Sequence, residues 1–110
     1  MSGQDVQKAL ELLQEAVNLE PSNLEARANL AMVSVLIARH DIVSEELRAM
    51  DEIRIAAERR GEPVPFVQQV KRIADAYLGI SDKVNAKIIY KELLKVAPDN
   101  EQIKDTLRGL

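Results

Sequence analysis

Apolar residues recur at helical spacing along almost the whole chain, and short polar segments with proline or glycine interrupt them. The clearest run is residues 67–100. Its pattern predicts one amphipathic helix over residues 67–78, ended by Gly79, and a second helix after Asp82, whose carboxylate is a suitable N-cap. Pro98 ends the second helix because proline lacks an N–H group. The run therefore predicts two antiparallel helices joined by a tight turn.

Two more helices are predicted upstream of this run. The first covers residues 6–19, with Asp5 as its cap and Pro21 as its stop. The next covers residues 23–39, because Ser22 and Glu25 have the spacing of a capping box. Its centre is apolar on nearly every side, which is typical of a helix that packs against several neighbours.

A long helix is predicted over residues 42–60, after a turn at residues 40–41. No proline ends this helix early, so we expect it to continue to Gly61 and to project roughly two turns beyond its neighbours. The proline-containing segment 62–65 then links it to the next helix. This extension is the most individual feature of the sequence.

Equivalent positions recur at fixed offsets, which indicates internal repetition. The pattern of residues 73–77 recurs 43 positions upstream, and that of 82–98 recurs 77 positions upstream. The chain resembles the tetratricopeptide repeat (TPR) family, with Val70 in place of that family's usual tryptophan. The residues that fall on the family spacing are Ile73, Ala74, Tyr77, Ala86, Tyr90, Leu93 and Pro98.

The resemblance implies an all-α fold: a single domain over residues 1–110 that forms a right-handed helical-repeat solenoid of about six antiparallel helices. Residues 1–21 correspond to the second helix of a partial repeat, 22–62 to a degenerate repeat with an extended second helix, and 63–98 to a regular repeat. Residues 99–110 are predicted to form a capping helix, since a solenoid end otherwise exposes its core. Asp99 and Gln102 resemble a capping arrangement for this helix, whose apolar side is Ile103, Leu107 and Leu110.

Composition narrows the range of functions. The net charge is −3 and there is no cysteine, so neither a disulfide framework nor a strongly basic nucleic-acid surface is expected. No signal peptide or membrane-spanning segment is predicted, which makes the cytoplasm the default location.

No pattern in the sequence indicates an enzyme, a cofactor or a metal site. His40 is the only histidine and is interpreted as a solvated turn residue, because a metal site needs several convergent ligands. The basic clusters are interpreted as solvated surfaces without the aromatic residues that nucleic-acid binding favours. They are Lys83, Lys87, Lys91 and Lys95 on one helix and Arg54, Arg59 and Arg60 on another.

The family resemblance implies that function lies in a concave groove that holds a peptide or partner protein. We therefore expect a non-enzymatic protein–protein interaction scaffold. The candidate groove and rim residues are Asn29, Met32, Val35, Leu36, Lys71, Arg72, Asp75 and Tyr77. This set is incomplete for the carboxylate clamp of one subgroup of the family, and that assignment is rejected.

Two alternatives remain open from the sequence. The first helix is apolar over a wide arc and lacks its repeat partner, so the chain is alternatively a self-assembling homodimer. The candidate self-association residues are Val6, Leu10, Leu13 and Val17. The other alternative is that the chain is the TPR tail of a longer protein, in which an upstream helix covers this face.

Overall fold

A computed structural model describes residues 3–110, and within that range it contains six α-helices and no strand. The expectation of six helices is thus confirmed. The helices are α1 (Gly3–Leu19), α2 (Leu24–Leu36), α3 (His40–Arg59), α4 (Phe66–Gly79), α5 (Lys83–Val96) and α6 (Glu101–Arg108).

Helices α2 and α4 are the centre of the packing. Helix α2 contacts α1, α3 and α4, whereas α4 contacts α2, α5 and, over a shorter length, α3; α6 packs against α5. The principal dimensions are 42 × 36 × 18 Å. The smallest of these accommodates two layers of helices, because helix axes pack about 8–10 Å apart.

The buried apolar residues form two clusters. The main core joins α2, α3, α4, α5 and α6, and its largest fully buried side chains include Tyr90, Met50, Ile73 and Leu93. The smaller α1 core consists of Leu10, Val17 and Leu30, with partly buried neighbours around them. Helix α1 is thus attached to the rest of the fold through α2.

The turns after α2 and after α4 have the same backbone conformation. Each contains one residue with positive φ: Ala38 (φ 58°) after α2 and Ser81 (φ 63°) after α4. In both turns the next backbone N–H donates to the carbonyl five residues earlier, at 2.8 Å and 2.9 Å, which is the Schellman arrangement. The two turn residues are 43 positions apart, the offset at which the sequence pattern repeats.

These turns correct two predicted helix ends. Helix α2 ends at Leu36 instead of residue 39, because Ala38 reverses the chain direction. Helix α4 ends at Gly79, one residue later than predicted, and the left-handed conformation is adopted by Ser81 instead of the glycine. Gly61 has φ 70° and does follow α3 as predicted.

Two predicted caps are displaced by one residue, and one is confirmed. The side chain of Asn23, not Ser22, accepts a hydrogen bond from the backbone N–H three residues further on, at 3.0 Å. Asn100, not Asp99, makes the same bond at the start of α6, also at 3.0 Å. Asp82 caps α5 as predicted, with a distance of 3.1 Å.

Two helices begin earlier than predicted. Helix α1 begins at Gly3, so Asp5 lies in its first turn and is not its cap. Helix α3 begins at His40, and therefore residues 40–41 form its first turn rather than a loop. In both cases the helix begins two or three residues before the first apolar residue of the periodic pattern, Val6 in α1 and Ile42 in α3.

The extension of α3 is present, but its base is packed. The helix runs to Arg59 and the proline-containing linker follows. Ala57 is fully buried, Ile55 and Ala56 are half-buried, and only the residues from Glu58 onward are exposed. The extension is therefore packed at its base, and its exposed part begins at Glu58.

Candidate functional site

One side of α2 presents a short strip of accessible residues next to α4. Asn29, Met32 and Leu36 follow one another at spacings of three and four, which places them on one side of the helix. Leu36 is 64% exposed, and the other two are half-buried. We call the accessible surface formed by this strip and the adjacent face of α4 the inner surface.

Arg72 of α4 connects the two helices across the inner surface. Its Nη2 donates to Oδ1 of Asn29 at 2.7 Å, and its Nη1 donates to Oε1 of Gln69 at 2.6 Å. Both acceptors are neutral amides, and Arg72 is in none of the ion pairs within residues 3–110. The half-buried guanidinium is therefore oriented by two neutral acceptors and forms no ion pair with the described residues.

The neighbouring charges of α4 are compensated. Lys71 Nζ donates to Asp75 Oδ2 at 2.8 Å, and the hydroxyl of Tyr90 donates to the other oxygen of the same carboxylate. Burial, followed by this hydrogen bond, raises the pKa of the Tyr90 phenol above its usual range. Of the two predicted cationic rim residues, Lys71 forms an ion pair and Arg72 forms none within residues 3–110.

Two residues predicted to line the groove are in the protein interior instead. Val35 and Tyr77 are both buried in the main core, so neither can contact a bound partner directly. They lie on the sides of α2 and α4 that face other helices. The accessible part of the predicted groove is thus formed by Asn29, Met32, Leu36, Lys71, Arg72 and Asp75.

His40 is exposed, as expected, and its ring also contacts Tyr77. Its Nδ1 lies 3.0 Å from the hydroxyl oxygen of Tyr77, and the two rings are stacked with centroids 6.0 Å apart. Burial, and then the negative charge of Asp82, raise the pKa of the Tyr77 phenol. The contact joins the start of α3 to α4.

A buried ion pair between α2 and α3 was not predicted from the sequence. Arg27 Nη1 donates to both carboxylate oxygens of Glu46, at 2.8 and 3.2 Å, and its Nε donates to the carbonyl of Pro21 at 2.7 Å. The side chains of Arg27 and Glu46 are 17% and 6% exposed. The two residues are 19 positions apart on different helices, so no local spacing indicates the pair.

The predicted self-association face of α1 is largely covered by α2. Leu10 and Val17 are buried, and Val6 and Leu13 are half-buried. The remaining exposed apolar residues of α1 are on an adjacent side of the helix: Leu12 (58% exposed) and Leu19 (76% exposed). The part of α1 that is open to a partner therefore differs from the predicted one.

A cleft of about 620 Å³ lies between α3 and α5. Phe66 and Val70 of α4 contribute apolar surface to it, and Ile88 of α5 is exposed beside it. On its α3 side, Arg54 lies 5.2 Å from the centroid of the Phe66 ring. Arg54 is also paired with Asp51 and Glu58 at 2.7 and 2.9 Å, so the charges of this wall balance internally.

The other basic residues lie on the surface. Lys83, Lys91 and Lys95 are exposed and Lys87 is half-buried, and Lys95 forms an ion pair with Glu92 at 2.9 Å. Arg59 and Arg60 are exposed at the end of α3. No helix formed by residues 3–110 combines the length and the apolar character needed to cross a bilayer. In the same range, no group of three or more metal-binding side chains is placed to hold an ion.

Comparison with known proteins adds no further constraint. Neither a family model, nor a curated protein, nor a solved structure matches the chain. A function is therefore proposed from the geometry of this chain alone.

Proposed function

We propose that the six helices form a right-handed helical-repeat solenoid of the TPR type, in which α2–α3 and α4–α5 are successive repeats. Three features support this assignment. Ala31 and Ala74, which are 43 positions apart, are both fully buried in the main core. The two turns with positive φ have the same offset, and α2 and α4 pack side by side. Helix α1 then takes the place of the second helix of a preceding repeat.

We infer that the protein is a non-enzymatic interaction scaffold that binds a peptide or partner protein on the inner surface. The ligand expected here carries an acidic group close to an apolar side chain. Arg72 supplies a charge for the acidic group, and the strip from Met32 to Leu36 supplies apolar surface. Leu36 is seven residues from Asn29, about 10 Å along the helix axis, so the two features fit within a few residues of a bound segment.

The proposal rests on the burial and the hydrogen bonds of the Arg72 guanidinium. A guanidinium that is half-buried and held by Asn29 and Gln69 has lost part of its hydration without gaining a carboxylate. A carboxylate from a ligand would form a charge-assisted hydrogen bond with a donor that is already oriented, which reduces the entropic cost of binding. Leu36 adds an exposed apolar side chain on the same surface.

The test is selection of binding peptides from a random displayed library, followed by affinity measurements on purified variants. Selected peptides are expected to contain Asp or Glu near an apolar residue. Arg72→Gln is expected to weaken their binding about tenfold or more, because it removes a charged hydrogen bond. Leu36→Glu is expected to abolish measurable binding, since it places a like charge beside the acidic ligand.

Leu12→Glu is the matched control, because it changes an equally exposed leucine on α1, away from the inner surface. It is expected to leave the affinity unchanged. Peptides without an acidic residue, or peptides whose affinity is the same for wild type, Arg72→Gln and Leu36→Glu, would contradict the proposal.

A further inference from the structure

One face of α1 is exposed, carries apolar side chains and is bordered by two charged residues that form no ion pair within residues 3–110. Leu12 and Leu19 are the exposed leucines, and the half-buried Ala9 and Ala16 lie beside them on the helix. Lys8 and Glu15 border the same face. We call these six residues the α1 face. It is continuous with, but distinct from, the side of α1 that packs on α2.

We propose that the α1 face binds a second copy of this chain, with the two α1 helices antiparallel about a two-fold axis near Leu12. A two-fold interface requires one surface to be complementary to itself: if residue i contacts residue j, then j contacts i. An antiparallel pair centred on Leu12 places Leu12 against Leu12 of the second copy. It also places Ala9 near Ala16 of the second copy, and these small side chains allow the helices to approach closely.

The charges at the border identify the second copy as the occupant. Lys8 and Glu15 are exposed, and neither forms an ion pair within residues 3–110. They are two helical turns apart, about 10 Å, which is too far for them to pair with each other. In the antiparallel dimer, Lys8 of each copy faces Glu15 of the other copy. Lys8 and Glu15 are thus complementary to the same two residues of a second copy in this one orientation.

The size of the face predicts a weak dimer. Helix α1 has 17 residues and is therefore about 25 Å long. A single pair of helices of this length buries less than the roughly 1,600 Å² of a standard interface. We therefore expect a concentration-dependent equilibrium with a Kd on the order of 10 μM.

The experiment is sedimentation equilibrium of the full chain over about a hundredfold concentration range around that Kd. The wild type is expected to change from monomer to dimer. Leu12→Glu is expected to remain monomeric throughout, because it places two carboxylates against each other at the axis. Leu36→Glu is the matched control: it changes a leucine of similar exposure on α2 and is expected to dimerise like the wild type.

Charge reversal tests the antiparallel orientation itself. Lys8→Glu and Glu15→Lys are each expected to weaken the dimer about tenfold, since both symmetric pairs then become repulsive. The double variant exchanges the two charges and is expected to restore the wild-type Kd. All these side chains are exposed in the monomer, so circular dichroism is expected to show unchanged helix content for every variant.

Three results would overturn the proposal. They are a wild type that remains monomeric at the highest concentration, a Leu12→Glu variant that dimerises normally, and a double reversal that fails to restore the Kd. The first result would leave the α1 face to a helix supplied by another protein.

Discussion

The helix pairs α2–α3 and α4–α5 have the same turn geometry but use different chemistry at equivalent positions. In α2–α3 the buried ion pair of Arg27 and Glu46 crosses between the helices. The residues 43 positions further on are Val70 and Ile89, both buried in the main core. The same two positions are thus occupied by an ion pair in the first helix pair and by two apolar side chains in the second.

The difference shows what a buried ion pair adds that apolar packing does not. Removing two charges from water costs free energy that their attraction only partly recovers, so the pair is not needed for stability alone. Arg27, however, also binds the carbonyl of Pro21. The ion pair therefore fixes the loop between α1 and α2 against α3, whereas Val70 and Ile89 have no polar group with which to hold a loop.

The largest effect is expected when only one partner of the ion pair is removed. Glu46→Ala leaves the Arg27 guanidinium buried without a carboxylate, and we expect the free energy of unfolding to fall by about 3 kcal/mol. Urea denaturation followed by circular dichroism measures this change. This loss of stability is at the lower end of the usual range because the Arg27 side chain is 17% exposed.

The control converts the first helix pair to the chemistry of the second. Arg27→Val with Glu46→Ile removes both charges and is expected to recover most of the lost stability, to within about 1 kcal/mol of wild type. If this double variant were as unstable as Glu46→Ala, apolar packing could not replace the ion pair at these positions. The two helix pairs would then not be equivalent there.

A smaller effect is expected at the tyrosines, which belong to the second helix pair. Tyr90→Phe removes the hydrogen bond to Asp75 and is expected to cost about 1 kcal/mol. The pKa values of Tyr77 and Tyr90 are raised in the folded state, mainly by burial. Their contribution to stability is complete below the ordinary tyrosine pKa of about 10 and is lost as the pH rises above it.

Unfolding free energies measured at pH 8 and at pH 11 test this dependence. The loss of stability between the two values is expected to be smaller for Tyr90→Phe than for wild type, and a residual loss is expected from Tyr77. The equivalent positions of the first pair are Leu47 and Ser34, which do not titrate. An identical pH dependence in wild type and Tyr90→Phe would show that ionisation of Tyr90 does not contribute.

The smallest effect is expected at the two equivalent turns. Ala38 and Ser81 both have positive φ, a conformation that costs L-residues about 1 kcal/mol and glycine almost nothing. Ala38→Gly and Ser81→Gly are each expected to raise the melting temperature slightly, by similar amounts. Gly61→Ala is the inverse control. Gly61 also has positive φ, so this substitution is expected to lower the melting temperature. Unequal shifts for the two turns would indicate that they are not equivalent in strain.

Periodicity and proline were sufficient to predict the number and order of the helices, but not their exact ends. Ser22 and Asn23 are adjacent, and either can cap a helix; the same is true of Asp99 and Asn100. The hydrophobic pattern does not distinguish between two neighbouring cap residues, because either side chain can accept the hydrogen bond from the first turn of the helix. The left-handed residue at the end of α2 was missed because its position carries no glycine.

The accessibility of the proposed binding surfaces was predicted only in part, for a geometric reason. The apolar arc of α1 is wide enough for two neighbours, and its sequence does not say which half α2 covers. Leu10 and Val17 were therefore assigned to a free face that the structure fills. Likewise, Val35 and Tyr77 are spaced as groove residues, but the packing of several helices around α2 and α4 buries them. Asn29 and Arg72 were predicted as groove residues from the family resemblance, and a hydrogen bond joins them in the structure.

In the sequence, the extended part of α3 and its linker lie between the helix pairs α2–α3 and α4–α5 without disturbing either pair. Helix α3 has 20 residues and α5 has 14, yet the two turns with positive φ and the buried alanines Ala31 and Ala74 keep their correspondence. The base of the extra length is packed, and the stretch that follows it is exposed from Glu58 to Pro63. Exposed backbone of this kind tolerates new chain ends. The segment after Ala57 is consequently the natural opening point for circular permutation or for grafting another domain.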